Sequence, residues 1–137
     1  MNDKANIIRV RDVMEQDYAL VDGKTTVAEA LKMMRDRNVN FLIVDKRHED
    51  DEYGIVLVAD IAKQVLAENR APQRCNIYEI MAKPVLSVHP AMHIRYCARL
   101  FQNFGISTAP VIDASGKILG IVAYDNLVLK GLAEYTY

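Results

Sequence analysis

Few side chains in this sequence stand at spacings that could do chemistry. His89 and His93 are four residues apart, a metal-ligand spacing when both lie on one helix. Pro90 intervenes at what reads as a strand-to-helix turn, so no shared zinc is expected. The run KRHEDDE at 46–52 reads as a mixed-charge hairpin loop, with Asp50 and Asp51 the conceivable seat of a divalent ion. Cys75 and Cys97 make neither a metal-type nor a redox-type pair and read as reduced thiols, the usage of a cytoplasmic chain. Gly-x-Ser-x-Gly and P-loop signatures are absent, and no Cys–His–acid set is identifiable. Catalysis therefore has no visible machinery, and an enzyme is not expected. What remains is a phrase that occurs twice, GIVLVADI at 54–61 and GIVAYDNL at 120–127. The first ends on Asp60 and the second on Asp125 and Asn126, and these polar residues pose the functional question.

The bulk properties exclude several classes. A chain of 137 residues makes one compact domain or two half-domains and can bury a core without disulfide or metal staples. Net charge is −1 and no basic stripe appears, so nucleic acid is not an expected partner. No apolar run approaches the ~20 residues that cross a bilayer, and MNDKANIIRV has no signal-peptide core. No membrane partner is expected either.

The elements that position the phrase are themselves written twice. An offset of 67 residues pairs Val13 with Ile80, Met14 with Met81, Val21 with Val88, Val27 with Ile94, and Met34 with Phe101. An offset of 66 pairs Gly54 with Gly120, Val56 with Val122, and Ile61 with Leu127. The change by one falls in a loop, where length varies cheaply. Within a copy, apolar residues at 27, 30, 31 and 34 follow helical spacing. Thr26 with Glu29 forms a capping box before that helix, and Asn38 or Gly105 closes it in a left-handed conformation. FLIVD and APVID read as buried strands, followed by a turn, a second strand and a second helix from about Ala59 or Asp125. Each copy thus reads strand, helix, strand, strand, helix, after a short helical lead-in at RDVM or YEIM. The expected organisation is repeat 1 with its lead-in over 1–68, a polar link over 69–76, and repeat 2 over 77–137.

VRDVM…TTVAEALKMM…NVNFLIVD…GIVLVADI, followed by IYEIMAKPVLSVHP…GISTAPVID…GKILGIVAYDNL, resembles a tandem pair of cystathionine β-synthase (CBS) domains, a Bateman module, over about residues 8–132. The resemblance implies an α/β (α+β) fold of two βαββα repeats packed sheet to sheet with pseudo-twofold symmetry. It also implies two clefts between the repeats that take adenosine-type ligands: AMP, ADP, ATP, S-adenosylmethionine or an NAD-like molecule. No cofactor is required.

In the resembling family the aspartate that ends the phrase accepts hydrogen bonds from ribose hydroxyls. Here Asp60 holds that position in repeat 1; repeat 2 has Asn126, with Asp125 one residue early. A carboxylate can serve both hydroxyls of a diol, whereas an amide offers one acceptor oxygen. The same short polar residues are also ordinary helix caps. The family's Thr or Ser in the phrase is replaced by Leu57 and Ala123. The positions that bring basic groups to a phosphate hold Asn40 and Phe41 in repeat 1, and Ser107 and Thr108 in repeat 2. A less charged ligand than ATP is therefore favoured, unless Lys46, Arg47, Lys83 or Arg95 reach the phosphates. Leu20, Leu42, Ile43, Pro84, Val85, Ala109 and Pro110 would supply backbone groups and apolar walls, in segments that also read as plain core strand. His93, placed like Thr26 before its helix, could face an anion or be a plain turn histidine.

On the helix from 94 to 104, Tyr96, Leu100 and Phe104 widen the apolar stripe beyond what one core demands, with Met33 the counterpart of Leu100. A homodimer through this layer is expected. The functional expectation is a stand-alone regulatory module that signals ligand occupancy to an effector protein. The alternative is a ligand-independent dimerisation or scaffold module.

Overall fold

The computed structural model describes residues 7–136. In chain order its elements begin with α1 (Val10–Val13), β1 (Leu20–Val21), α2 (Val27–Arg37), β2 (Phe41–Val44), β3 (Gly54–Leu57) and α3 (Val58–Ile61). They continue with α4 (Ile94–Phe104), β4 (Thr108–Ile112), β5 (Ile118–Ala123) and α5 (Ala133–Thr136). π-Wound turns at Ala62–Leu66 and Asn126–Leu132 extend the helices that leave β3 and β5. Short 3-10 turns occupy Pro72–Arg74 and Ile77–Glu79.

The chain folds as two compact units that cut across its repeats. Ala19–Val85 forms one; the described residues up to Tyr18, together with those from Leu86 onward, form the other. In the 19–85 unit, β1 and β2 are parallel and are joined through α2, the crossover that parallel strands require. β3 returns antiparallel to β2, pairing Phe41 with Leu57 and Ile43 with Ile55. Strand alternation sends Leu42, Val44 and Val56 into a core with Val27, Ala30 and Met34 of α2. Ile61, Val65, Ile77 and Ile80 complete it. The capping box forms as its spacing predicts: Thr26 Oγ1 accepts the Glu29 N–H at 3.1 Å, and Glu29 Oε1 accepts the Thr26 N–H at 3.2 Å. Asn38 closes the helix at φ 54°.

The other unit repeats this plan with fewer strand bonds. Cys97 and Phe101 of α4 pack on Ala109, Val111 and Val122 of the β4–β5 pair. Gly105 closes α4 at φ 63°. PVLSV, expected as a strand, is not one. Only Val88 bridges to Val111, because Lys83–Val85 belongs to the 19–85 unit, where the Val85 N–H bonds to the Tyr53 carbonyl at 2.9 Å.

The lead-ins explain why units and repeats differ. Val10 and Val13 are buried in the core of α4, β4 and β5, and the Val10 N–H bonds to the Met92 carbonyl at 2.8 Å. Glu15 and Ile121 exchange two backbone bonds of 2.8 Å. Ala82 and Ile55 do the same at 2.9 Å in the 19–85 unit. Each repeat's lead-in is thus seated on the strand pair of the other repeat. The 3-10 turn Ile77–Glu79, with IYE in place of the expected helix at YEIM, is the second lead-in. Residues 69–76, expected as a link, lie inside the 19–85 unit, where the Cys75 carbonyl accepts the Val27 N–H at 2.8 Å.

The crossings also answer why both phrases start with glycine. A Cβ on Gly120 would overlap the carbonyl oxygen of Glu15 and stand 3.2 Å from Met14 Sδ. One on Gly54 would stand 2.9 Å from Met81 Sδ and 3.1 Å from the Ala82 oxygen. Glycine is placed where a second backbone passes over the strand.

Candidate ligand site at the strand-to-helix junctions

The chain leaves β3 through an extended Leu57 and turns at once into α3. Three residues on, Asp60 Oδ2 accepts the Leu57 N–H at 2.9 Å, and the Asn40 carbonyl accepts the Val58 N–H at 2.9 Å. Asp60 is half-buried, and no hydrogen bond to its Oδ1 is found among the described residues. One oxygen therefore fixes the carboxylate and the other is left to accept.

The second junction has the same frame and a different outcome. Asn126 Oδ1 accepts the Ala123 N–H at 2.8 Å, and the Ser107 carbonyl accepts the Tyr124 N–H at 3.3 Å. The Asn126 amide also donates from Nδ2 to Glu15 Oε1 at 3.4 Å, and Lys130 Nζ pairs with the same oxygen. Asn126 is 7% exposed, so its hydrogen-bonding groups are committed to the fold. Asp125 is exposed and makes no side-chain cap bond.

Register decides which wall residues share a face. Leu20 pairs with Ile43, and Phe41 with Leu57, so these four side chains lie on the sheet face opposite the helix-packed core. Thr108, Pro110 and Ala123 are related in the same way in the β4–β5 pair. Leu42 and Ala109 point instead into their unit's core. Pro84 and Val85 flank the start of β3 at Tyr53, about 13 Å of strand from Leu57, where the turn to Asp60 begins.

Three of the basic residues weighed as phosphate partners, Lys46, Arg47 and Lys83, lie away from Asp60 within its unit. Lys46 and Arg47 follow the far end of β2, and Lys83 reaches the same region, beside the loop after β2. Asp51 Oδ2 accepts from Lys83 Nζ at 2.8 Å and from Arg47 Nε at 3.1 Å. Those bonds, led by Arg47, hold its carboxyl far below the usual carboxylate range. Asp51 is thus committed to two cations rather than to a divalent ion. Arg95 is exposed in the first turn of α4, in the other unit.

The two histidines each serve their own turn. His89 Nδ1 accepts the Ala91 N–H at 3.0 Å, and His93 Nδ1 accepts the Arg95 N–H at 3.1 Å as the cap of α4. Burial, then the nearby Arg95 and Arg9, push the His93 pKa down, which favours the neutral ring that this acceptor role needs. Burial also pushes the Cys97 thiol up to about 11. Among the described residues no cluster of three or more His, Cys, Asp or Glu side chains could hold a metal. No helix among them is long and apolar enough to cross a membrane.

Of the residues expected at a dimer contact, Met33 and Leu100 are half-buried against their own cores. Tyr96 and Phe104 stand out at 55% and 61% exposure.

The family model for the CBS domain matches residues 10–67 and again 77–131. The chain belongs to the CBS domain family. As a CBS pair it is similar to a hexameric CBS-CP12 protein from bloom-forming cyanobacteria, with 38% identity and a TM-score of 0.88 over 91% of this chain and 68% of that one. It is also similar to a CBS domain pair solved in complex with 5′-methylthioadenosine and S-adenosyl-L-methionine, with 27% identity and a TM-score of 0.78 over 90% of this chain and 98% of that one. A homoserine O-acetyltransferase of Methanosalsum zhilinae is 34% identical over 89% of the chain. The chain spans 24% of that enzyme's length, and 61% of an uncharacterized protein of Methanopyrus kandleri that it matches at 24% identity. The fold of this CBS pair is accordingly α/β with small sheets.

Proposed function

We propose that this CBS pair is a regulatory module that takes an adenosine-type ligand at the β3–α3 junction of its first repeat and signals occupancy to an effector protein. The observation that carries the reading is the asymmetry of the two junctions. Asp60 is anchored through Oδ2 and keeps Oδ1 to accept from a ribose diol, whereas Asn126 is used up by Ala123 and Glu15. The exposed Leu20 and the half-buried Phe41 give the neighbouring sheet face an apolar surface for a purine. A similar CBS pair bound to methylthioadenosine and S-adenosylmethionine supports the ligand class. Lys46, Arg47 and Lys83 lie beyond the far end of the strands, so adenosine, methylthioadenosine, AMP and S-adenosylmethionine suit the site better than ATP. In this reading the chain is cytoplasmic, performs no catalysis, and meets neither nucleic acid nor membrane.

The test is a melting screen against those ligands together with ADP, ATP and NAD. A ligand at 100 times its dissociation constant stabilises the fold by about 2.7 kcal/mol. Asn126 already shows that an asparagine can make the junction bond, so Asp60→Asn keeps the cap and removes only the charged acceptor. It is expected to weaken binding about tenfold and to cut the stabilisation to about 1.4 kcal/mol. A flat screen would leave the ligand-independent scaffold, a reading that Leu57, Ala123 and the committed Asn126 would then favour.

We also propose that Tyr96 and Phe104 of α4 meet a second copy. Sedimentation at tens of micromolar is expected to give a dimer that Phe104→Glu dissociates. A wild-type monomer at that concentration refutes the contact.

A further inference from the structure

Lys24, Lys46, Arg47 and Lys83 line one open groove of about 870 Å³ in the 19–85 unit. They arrive from three segments: the turn after β1, the turn after β2, and the stretch that leaves the Ile77–Glu79 turn. The exposed Tyr78 ring and the half-buried Met81 give the groove an apolar side. The groove sits at the end of β2 opposite Asn40 and Asp60, so a ligand held at Asp60 does not fill it.

The charges are arranged unevenly. Asp22 and Asp45 also line the groove and keep their charge, each with one oxygen turned to a backbone N–H, that of Lys24 at 2.7 Å and that of Lys46 at 2.8 Å; against them and Asp51 the groove's four cations leave a positive balance. Asp51 is occupied by Arg47 and Lys83. Neither Lys24 nor Lys46 has a carboxylate partner among the described residues; Lys46 lies 5.1 Å over the Tyr53 ring instead. Two ammonium groups with no carboxylate partner among the described residues, beside the exposed Tyr78 ring and the Met81 side chain, form a complementary surface for an anion attached to a flat apolar body.

We propose that this groove is a second ligand site, separate from Asp60, that takes a small phosphate monoester carrying an aromatic ring. The phosphate sits between Lys24 and Lys46, with the Lys83 ammonium at its edge, and the ring lies against Tyr78 and Met81. This site does not depend on the adenosine reading, because its probe needs no ribose.

Phenyl phosphate is that probe, titrated into the full-length protein and followed by backbone amide NMR shifts. The expected shifts fall at residues 22–24, 44–47 and 78–83 and shrink as salt is added, because exposed charge pairs are screened. Phenol and inorganic phosphate, each carrying half of the recognition, are expected to bind about tenfold more weakly. The double variant Lys24→Gln/Lys46→Gln is expected to lose about tenfold in affinity with an unchanged melting point, and Asp60→Asn to lose nothing. Shifts that Asp60→Asn abolishes, equal binding of phenyl phosphate by the double variant, or no shift at millimolar phenyl phosphate would each overturn the assignment.

Discussion

Gly120→Ala is expected to destabilise the protein by about 3 kcal/mol or more, near the top of the range for overpacking. In a chain of this size that lowers the melting temperature by roughly 10 °C. The added methyl meets backbone, the carbonyl of Glu15, and backbone has no rotamer by which to escape. Relief requires pulling the lead-in away from β5, which breaks the Glu15–Ile121 pair of bonds and strains the burial of Val13. Gly54→Ala is the matched comparison. Its tightest neighbour is the Met81 thioether, a side chain that can shift, and its backbone neighbour is 3.1 Å away. About 1 kcal/mol is expected there. Gly116→Ala, at φ 87° with nothing within 4 Å, isolates the separate cost of a left-handed backbone, also about 1 kcal/mol. Chemical denaturation of the three variants checks the order. A Gly120→Ala protein within 1 kcal/mol of wild type would show that the lead-in does not press on the strand.

Removing residues 1–15 is expected to damage repeat 2 rather than repeat 1. The deletion takes Ile8, Val10 and Val13 out of the core that holds Phe101 and Val122. Each such side chain contributes about 1.5–3 kcal/mol on burial, an upper estimate because unfolded chains are not fully extended. The loss is comparable with the whole stability of a small domain. Hydrogen exchange should show protection collapsing in α4, β4 and β5, while β2 and β3, whose core draws on Ile77 and Ile80, keep theirs. The mirror experiment is Ile80→Ala, which should open β2 and β3 first. It is expected to cost about 2–5 kcal/mol, as large-to-small core changes do. If the truncated protein lost protection at β2 and β3 instead, the exchange of lead-ins would be wrong.

The electrostatic features follow the same division between local and distant causes. Thr26 and Glu29 are three residues apart, so their reciprocal bonds are set by helix geometry alone, and the spacing predicts them. Asp51 is 32 residues from Lys83, and no pattern in KRHEDDE marks it as the acid that ties the loop to that lysine. The sequence made Asp50 and Asp51 look alike, but only Asp51 gathers two cations.

What the sequence by itself determined was everything with a short period. The duplication, the apolar stripes of α2 and α4, their left-handed ends at Asn38 and Gly105, and the aliphatic strands β2 to β5 all follow from residues within a few positions of one another. What only the tertiary structure decided was which copy of each segment meets which. Val13 and Ile80 are equivalent in the repeat, so their pattern is the same whether each lead-in folds onto its own strands or onto the other copy's. The fate of PVLSV depended on that choice, and so did the need for glycine at 54 and 120. The roles of Asp60 and Asn126 also diverge for a distant reason. Glu15, which occupies the Asn126 amide, comes from 111 residues away, and hydrophobic periodicity carries no information about a partner at that separation.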